Sequence, residues 1–179
     1  MTTDQVSLFL ALLAVLAETI AAVVAVTLVV RLAGRDAAWP QGVLAAVRPL
    51  ALPLAAAVAT VATLGSLYYS EVANFPPCRL CWYQRICMYP LAVILIVAAL
   101  RRDRLVRWYG LPLALIGAGI STWHVLVERY PTLESGSCDP TNPCSLIWVE
   151  KLGYLTIPTM ALSGFAAIAL LLVLPEEAP

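Results

Sequence analysis

Along the chain, long apolar runs alternate with short polar segments. Five runs stand out, over residues 6–30, 49–70, 82–100, 108–127 and 152–174. A helix needs about 20 residues to cross a bilayer, so each run is long enough to span. The first run holds one charge, Glu18, and the third holds Arg85 near its start. The fourth carries His124 but no formal charge, and the second and fifth carry none. Within hydrocarbon the backbone must satisfy its own hydrogen bonds, so the runs are predicted to be helices. The first run has no basic leader and is too long for a secretory signal core, which makes it a retained span. The pattern therefore predicts an all-α integral membrane protein with five spans and short links.

Composition strengthens this picture. The chain has 179 residues, 61% apolar and only 12% charged, with a mean hydropathy of +0.87. A soluble domain carries roughly twice that charged fraction. Eleven basic residues balance eleven acidic ones, so no net field recruits nucleic acid. A cytosolic enzyme, a nucleic-acid binder and a disordered chain are poor fits. The sequence has no phosphate-binding glycine loop and no His-Glu-x-x-His, and it contains a single histidine.

The links set the orientation. Arg31, Arg35, Arg48, Arg101, Arg102, Arg104 and Arg107 fall on one side, and Arg79, Arg85, Arg129 and Lys151 on the other. Seven against four makes the first side cytoplasmic. The amino terminus then lies outside and the carboxyl terminus, with Glu176 and Glu177, inside. Segments 71–81 and 128–151 face outward. Tyr68, Tyr69, Trp82, Tyr83, Trp123, Tyr130 and Trp148 fall near the outer boundary, where amphipathic aromatic rings settle.

Four of the five cysteines lie on that outward side: Cys78, Cys81, Cys138 and Cys144. Outside the cytoplasm disulfides persist. Cys87, inside the third span, reads as a small packing residue. Cys78-Arg79-Leu80-Cys81 is a Cys-x-x-Cys at the amino end of a helix. Free N–H groups and the helix dipole favour a thiolate there. Arg79 and Arg85 add positive charge, Arg85 one turn beyond Cys81 on the same face. Pro76-Pro77 stiffens the entry. Cys138 and Cys144 bracket Asp139-Pro140-Thr141-Asn142-Pro143, a turn-rich stretch in which a disulfide would be exposed and suited to exchange. Two other readings stand beside the redox one. Both pairs could be structural staples, or all four sulfurs could hold zinc, which an oxidising compartment disfavours. His124 alone reads as a bundle histidine, and Glu18 as a polar packing contact or a functional carboxylate.

Residues 78–90, CRLCWYQRICMYP, carry a recognisable pattern. The chain resembles the bacterial disulfide bond formation protein B (DsbB) family of quinone-coupled thiol oxidases. Its members have Cys-x-x-Cys followed by Tyr and Arg at the start of a membrane helix, here Cys78, Cys81, Tyr83 and Arg85. A second cysteine pair occupies the next outward loop, as Cys138 and Cys144 do. His124 ahead of Tyr130-Pro131, and Gly153-Tyr154-Leu155-Thr156-Ile157-Pro158 at the entry to the last helix, match in order. The resemblance covers about residues 50–174. The short spacing of the second pair is similar to a compact, BdbC-like branch. Two features depart from the pattern. Residues 1–48 add a span, and Gln84 stands where a glutamate often precedes the key arginine. The related vitamin K epoxide reductase family uses the same parts in the opposite order.

The resemblance implies three parts: an extra transmembrane helix and cytoplasmic link over 1–48, a four-helix thiol oxidase unit over 49–174, and a tail over 175–179. Span one is expected to pack outside the four-helix unit, with Gly65, Gly117, Gly119 and Gly164 permitting close helix contacts. The implied home is a bacterial cell membrane. The implied electron path starts at an extracytoplasmic thioredoxin-fold (DsbA-like) dithiol protein. It runs through Cys138 and Cys144, then Cys78 and Cys81, to a membrane quinone, ubiquinone or menaquinone. Cys138 is the expected partner sulfur and Cys81 the sulfur that serves the quinone. Arg85 and His124 are the expected quinone-binding residues, with Trp82, Tyr83 and Trp123 as pocket walls and no metal. Rival readings are a quinone reductase running the path in reverse and a membrane scaffold with static disulfides.

Overall fold

The computed structural model describes residues 2–34, 38–103, 105–134, 138 and 141–174. Arg35, Arg104, Asp139 and the tail 175–179 lie outside the described residues. The first helix, α1, spans Thr3–Leu32 and opens on a capping box between Thr2 and Gln5. Capping of this kind satisfies the first orphan N–H groups. The second span is composite. Helix α2 (Ala38–Val47) runs through a short turn at Arg48–Leu50 into α3 (Ala51–Leu67) and a π-helical turn at Tyr68–Val72. The expected cytoplasmic link is thus largely α2, whose Pro40 and Leu44 are buried. Its sequence, AWPQGVLAAV, is apolar enough to pack instead of looping. Helix α4 spans Arg79–Arg101 and α5 spans Val106–Arg129.

The last run divides. A two-stranded antiparallel hairpin, β1 (Glu150–Lys151) and β2 (Leu155–Thr156), precedes α6 (Ile157–Val173). Gly153, at φ +78°, makes the hairpin turn, a backbone region that glycine enters without strain. Helix α6 is therefore 17 residues, about 26 Å long. The other four helical stretches are each long and apolar enough to cross a membrane. Shortness suits α6, because protein and not lipid covers most of it. Phe165, Ala167, Ile168 and Leu171 are almost wholly buried.

Helices α3, α4, α5 and α6 form a closed ring, each packed on the next and α6 back on α3. That ring is the expected four-helix bundle, so the fold is an all-α integral membrane bundle with one added N-terminal helix. Helix α1 lies outside the ring along α6. It buries a narrow stripe of Ser7, Ala11, Ala14, Ala17, Ala21, Val24 and Thr27. Its other faces, with Phe9, Leu12, Val26 and Val29, are exposed and apolar, as lipid contact requires. Two polar ties hold it. Glu18 accepts hydrogen bonds from Tyr154 Oη and Ser163 Oγ, both at 2.8 Å, and Lys151 pairs with Asp4. Glu18 is thus the helix-to-helix contact that a carboxylate at this depth needs.

The expected glycines divide as well. Gly117 lets α5 approach α6: a Cβ there would lie 2.2 Å from the Phe165 ring. At Gly65 a Cβ would meet Leu10 of α1 at 3.1 Å, and at Gly164 it would touch Met88 at 3.7 Å. Gly119 permits no contact, because nothing lies within 4 Å of the position its Cβ would take. Adding a methyl group at Gly117 therefore overpacks the α5–α6 seam. Gly117→Ala should lower stability by about 1–3 kcal/mol. Phe165→Leu should partly rescue it, and thermal unfolding of the two single variants and the double variant in detergent measures the coupling.

Candidate functional site

The site grows from the start of α4. Pro76 and Pro77 hold the chain extended before the helix. Cys78 then takes the N-cap position, and its Sγ accepts the Cys81 N–H at 3.4 Å. The two sulfurs lie 3.1 Å apart and share a hydrogen bond. Cys78 is buried and Cys81 half-buried. From α5, His124 brings Nε2 to 3.6 Å from Cys78 Sγ and 3.0 Å from the Cys144 carbonyl. A carbonyl only accepts, so Nε2 carries the proton. Nδ1 then accepts from Gln84 Nε2 at 3.4 Å. The Cys78 thiol is held down to about 4, first by its hydrogen bond with Cys81 and then by His124. The thiolate belongs to Cys78, the sulfur at the helix cap.

The second pair is docked here. Cys138 and Cys144 form a disulfide with Cα atoms 6.2 Å apart. Cys144 is only 1% exposed and packs with Cys78 and Val127, while Cys138 stays partly open. The expected exposed hairpin is thus half buried. Glu134 secures it by accepting the Cys144 N–H and the Ser145 hydroxyl. Asn142 Nδ2 donates to the Pro76 carbonyl at 3.3 Å, tying the loop to the entry of α4. Phe75 stacks on Trp148 at 5.0 Å and on Tyr69 at 5.9 Å, a second bridge between the two outer loops.

Below Cys81 lies a cavity of about 290 Å³. One end gathers Cys81, Gln84, Arg85, Ser66, Tyr69 and Tyr89; the walls beyond are Leu, Val, Ala and Ile from α1, α3 and α6. Arg85 is buried, 9% exposed. Its Nε donates to Ser66 Oγ and its Nη2 to the Ser66 carbonyl, both at 3.0 Å. Tyr89 Oη also donates to Ser66 Oγ, at 3.2 Å. The guanidinium lies 5.1 Å from the Trp82 ring and 5.9 Å from the Tyr89 ring. The cation is thus held inside the bundle and does not reach for headgroups. A small apolar ring with carbonyl oxygens fits such a place: apolar walls, forked donors at one end, and a cysteine beside them.

The expected residues separate by position. Cys81 and Arg85 line the large cavity. His124 lies behind the cysteines, in a small space shared with Cys78, Cys81 and Glu128. Trp82, Tyr83 and Trp123 are about half exposed and line neither space, so they are not its walls. Those aromatic walls are Tyr69, Phe75, Tyr89 and Trp148. The helical period explains this for α4: Tyr83 sits on the opposite face from 81, 85 and 88, and Trp82 lies at the flank of that face, against Arg85. Cys87 is buried in the core, as expected. Ser66, Gln84, Glu128 and Glu134 join the site without a sequence motif that singles them out for it. The signal for Ser66 is a hydroxyl in an uncharged span. Glu128 accepts from Thr156 Oγ1 at 2.6 Å, which explains the threonine of the Gly-x-x-Thr-Ile-Pro segment. The atoms of Cys78, Cys81 and His124 lie within 4.8 Å of one another, a set able to take a thiophilic metal.

Known proteins resemble the chain over the four-helix ring and its cysteines. The family described as "Disulfide bond formation protein DsbB" matches residues 48–175. The chain is 46% identical over 118 residues to "Disulfide bond formation protein C" of Bacillus subtilis (strain 168), covering 65% of this chain and 86% of the relative. It is 44% identical over 110 residues to "Probable disulfide formation protein C 1" of Bacillus anthracis, covering 61% and 79%. It is 41% identical over 130 residues to "Probable disulfide formation protein" of Chlamydia trachomatis serovar D, covering 73% and 95%. No solved structure matches.

The Cys78 environment has a measurable consequence. A thiol ordinarily at 9.0 and held at about 4 is ionised at neutral pH and takes up its proton only as pH falls through about 4. With Cys78 and Cys81 reduced, thiolate ultraviolet absorbance should persist down to mildly acidic pH. His124→Ala should move the midpoint upward, and Cys81→Ala should move it further, because the Cys81 hydrogen bond is the larger cause.

Proposed function

The chain belongs to the disulfide bond formation protein DsbB family of membrane disulfide oxidoreductases, and from that premise we propose a specific electron path. It oxidises an extracytoplasmic thioredoxin-fold dithiol protein and delivers the electrons to a membrane quinone. One observation carries the reading. Cys81 lines the large cavity with Arg85, while Cys78 packs against Cys144 of the loop disulfide. The inner pair therefore faces the loop pair with one sulfur and the cavity with the other.

The steps follow from exposure and contact. A thiolate of the reduced partner attacks Cys138, the open sulfur of the loop pair. The bond between Cys138 and Cys144 breaks, a mixed disulfide forms through Cys138, and Cys144 leaves as thiolate. The second thiol of the partner displaces Cys138, so the partner departs oxidised and the loop pair holds two electrons. Buried Cys144 attacks Cys78 of the oxidised inner pair, and Cys81 leaves. Cys138 then attacks Cys144, restoring the loop disulfide and leaving Cys78 and Cys81 as a dithiol. His124 donates from Nε2 toward Cys78 and stabilises the thiolate there, while Gln84 keeps the ring in that tautomer.

The cavity residues suit a quinone. Arg85, locked on Ser66, would hold a positive charge near a carbonyl oxygen, and Tyr69, Phe75 and Tyr89 would pack around the ring. A bound quinone would supply the two-electron sink that lets the inner pair return to a disulfide. With the amino terminus outside, both cysteine pairs face the extracytoplasmic side. Residues 49–174 form the oxidase unit in this reading.

A purified assay tests the reading directly. Quinone reduction should track oxidation of a reduced thioredoxin-fold protein two electrons at a time, and absence of any quinone reduction would refute it. Arg85→Lys keeps the charge but loses the fork, so the KM for quinone should rise roughly tenfold. A single turnover without quinone should still oxidise one partner dithiol in that variant. Cys144→Ser should trap the partner through Cys138, seen as a reducible band of summed mass. Trapping through residue 144 in Cys138→Ser alone would reverse the roles of those two sulfurs.

A further inference from the structure

The large cavity is far longer than a ring. Its lining along α3 runs from Leu54 to Tyr69, about 22 Å of helical rise. All its polar groups sit at the Arg85 end. The remaining length is apolar, walled by Val58 and Val61 of α3, by Met160 and Ala161 of α6, and by α1. Helix α1 contributes Leu10, Leu13, Ala14, Leu16, Ala17 and Ile20 to the wall. It lies wholly before residue 48, where the family match begins. Without α1, the groove between α3 and α6 would open onto lipid.

The register along α1 locates the two alanines. Leu10 meets Gly65 of α3, with 3.1 Å from its side chain to the position of a Cβ there. The helices run in opposite directions, so a step down α1 is a step down the slot. Ala14 and Ala17 therefore lie beside the apolar length, one and two turns below the polar end. Both line the cavity at its α6 side and are nearly buried, Ala14 in a cluster with Leu155 and Met160 and Ala17 in one with Ala167 and Leu170, so a longer side chain at either position has only the slot to enter. Glu18, bonded to Tyr154 and Ser163, fixes this stretch of α1 against α6.

We propose that α1 is the selectivity wall of the slot: Ala14 and Ala17 admit the long apolar tail of a lipid quinone, so the protein discriminates among quinones by tail as well as by ring. This rests on the quinone-reducing function proposed above. Tail and wall are both apolar, so the recognition is by shape and length, and it is sensitive to any side chain that narrows the slot.

Two quinones with one ring, one bearing a long isoprenoid tail and one bearing none, provide the test. Ala17→Leu should raise the KM for the tailed quinone roughly tenfold and leave the tailless one within about twofold. Quinone-free exchange with the partner dithiol protein should be unchanged, which reports a folded site. An unshifted ratio of the two KM values, or an equal rise in both, would overturn the proposal. A second measurement needs no variant: a photoreactive group at the far end of the tail should label residues 13–20 of the wild-type protein. Labelling confined to α3 and α6 would overturn the proposal, as would labelling of α1 by a photoreactive phospholipid chain that the quinone fails to displace. If the wild-type protein exchanges thiols but reduces neither quinone, the parent function falls too. Reduction of both quinones with an unshifted ratio removes only the role of α1.

Discussion

His124 Nε2 lies 3.0 Å from the Cys144 carbonyl and 3.6 Å from the Cys78 sulfur, and Gln84 fills its other nitrogen. One imidazole thus joins the loop that carries the second cysteine pair to the helix start that carries the first. The surrounding architecture serves that junction. Helix α5 must approach α6 closely at Gly117 to set its own axis, and Glu134, three residues beyond Pro131, must reach the Cys144 amide. The loop bond from Asn142 to Pro76 and the Phe75–Trp148 stack press the same two segments together. Thiol exchange between pairs needs sulfurs in contact, and short loops alone would not supply that. His124 also favours a thiolate on Cys78, toward which its Nε2 points.

A second constraint is the guanidinium one turn below. A cation within a transmembrane helix costs about 3 kcal/mol near the bilayer centre even by lenient scales. Arg85 meets that cost with two hydrogen bonds to Ser66 and with the faces of Trp82 and Tyr89. Trp82, exposed on the outside of α4, therefore matters to the site by covering the cation and not by lining the cavity. The arrangement leaves the guanidinium rigid and close to the cavity that Cys81 also borders. A flexible lysine could neutralise charge there, but it could not hold two donors in one plane against Ser66.

The added helix changes how the bundle meets lipid. Four helices make the ring, and the fifth covers the groove between α3 and α6. Its attachment uses a mid-membrane carboxylate with two hydroxyl donors and an outer ion pair, Asp4 with Lys151. Such ties are specific because, in an apolar setting, an unpaired Glu18 would be costly. An extra span can thus be added at the amino terminus without disturbing the cysteine geometry. It meets the bundle along a narrow stripe of mostly small residues, at Gly65 and through Glu18.

Much of this protein is legible in its sequence because the bilayer imposes length, apolarity and helix on any span. The spans, the helix-start Cys-x-x-Cys and the placing of Arg85 on the face of Cys81 all follow from local spacing and apolarity. Periodicity also places Tyr83 on the far side of α4 from Arg85, while Trp82, three residues before Arg85, flanks it. What spacing could not supply was any partner from another helix. Ser66 for Arg85, Gln84 for His124, Glu134 for Cys144 and Ser163 for Glu18 are contacts between residues 10 to 145 positions apart. The hairpin before α6 was hidden for a similar reason: an apolar strand pair and an apolar helix read alike until backbone pairing divides them. The burial of Cys144 and the conversion of a lipid-facing groove into a walled slot were decided by tertiary packing alone. Hydrophobicity along a chain states that a face is apolar, but only the fold determines whether lipid, another helix or a ligand covers it.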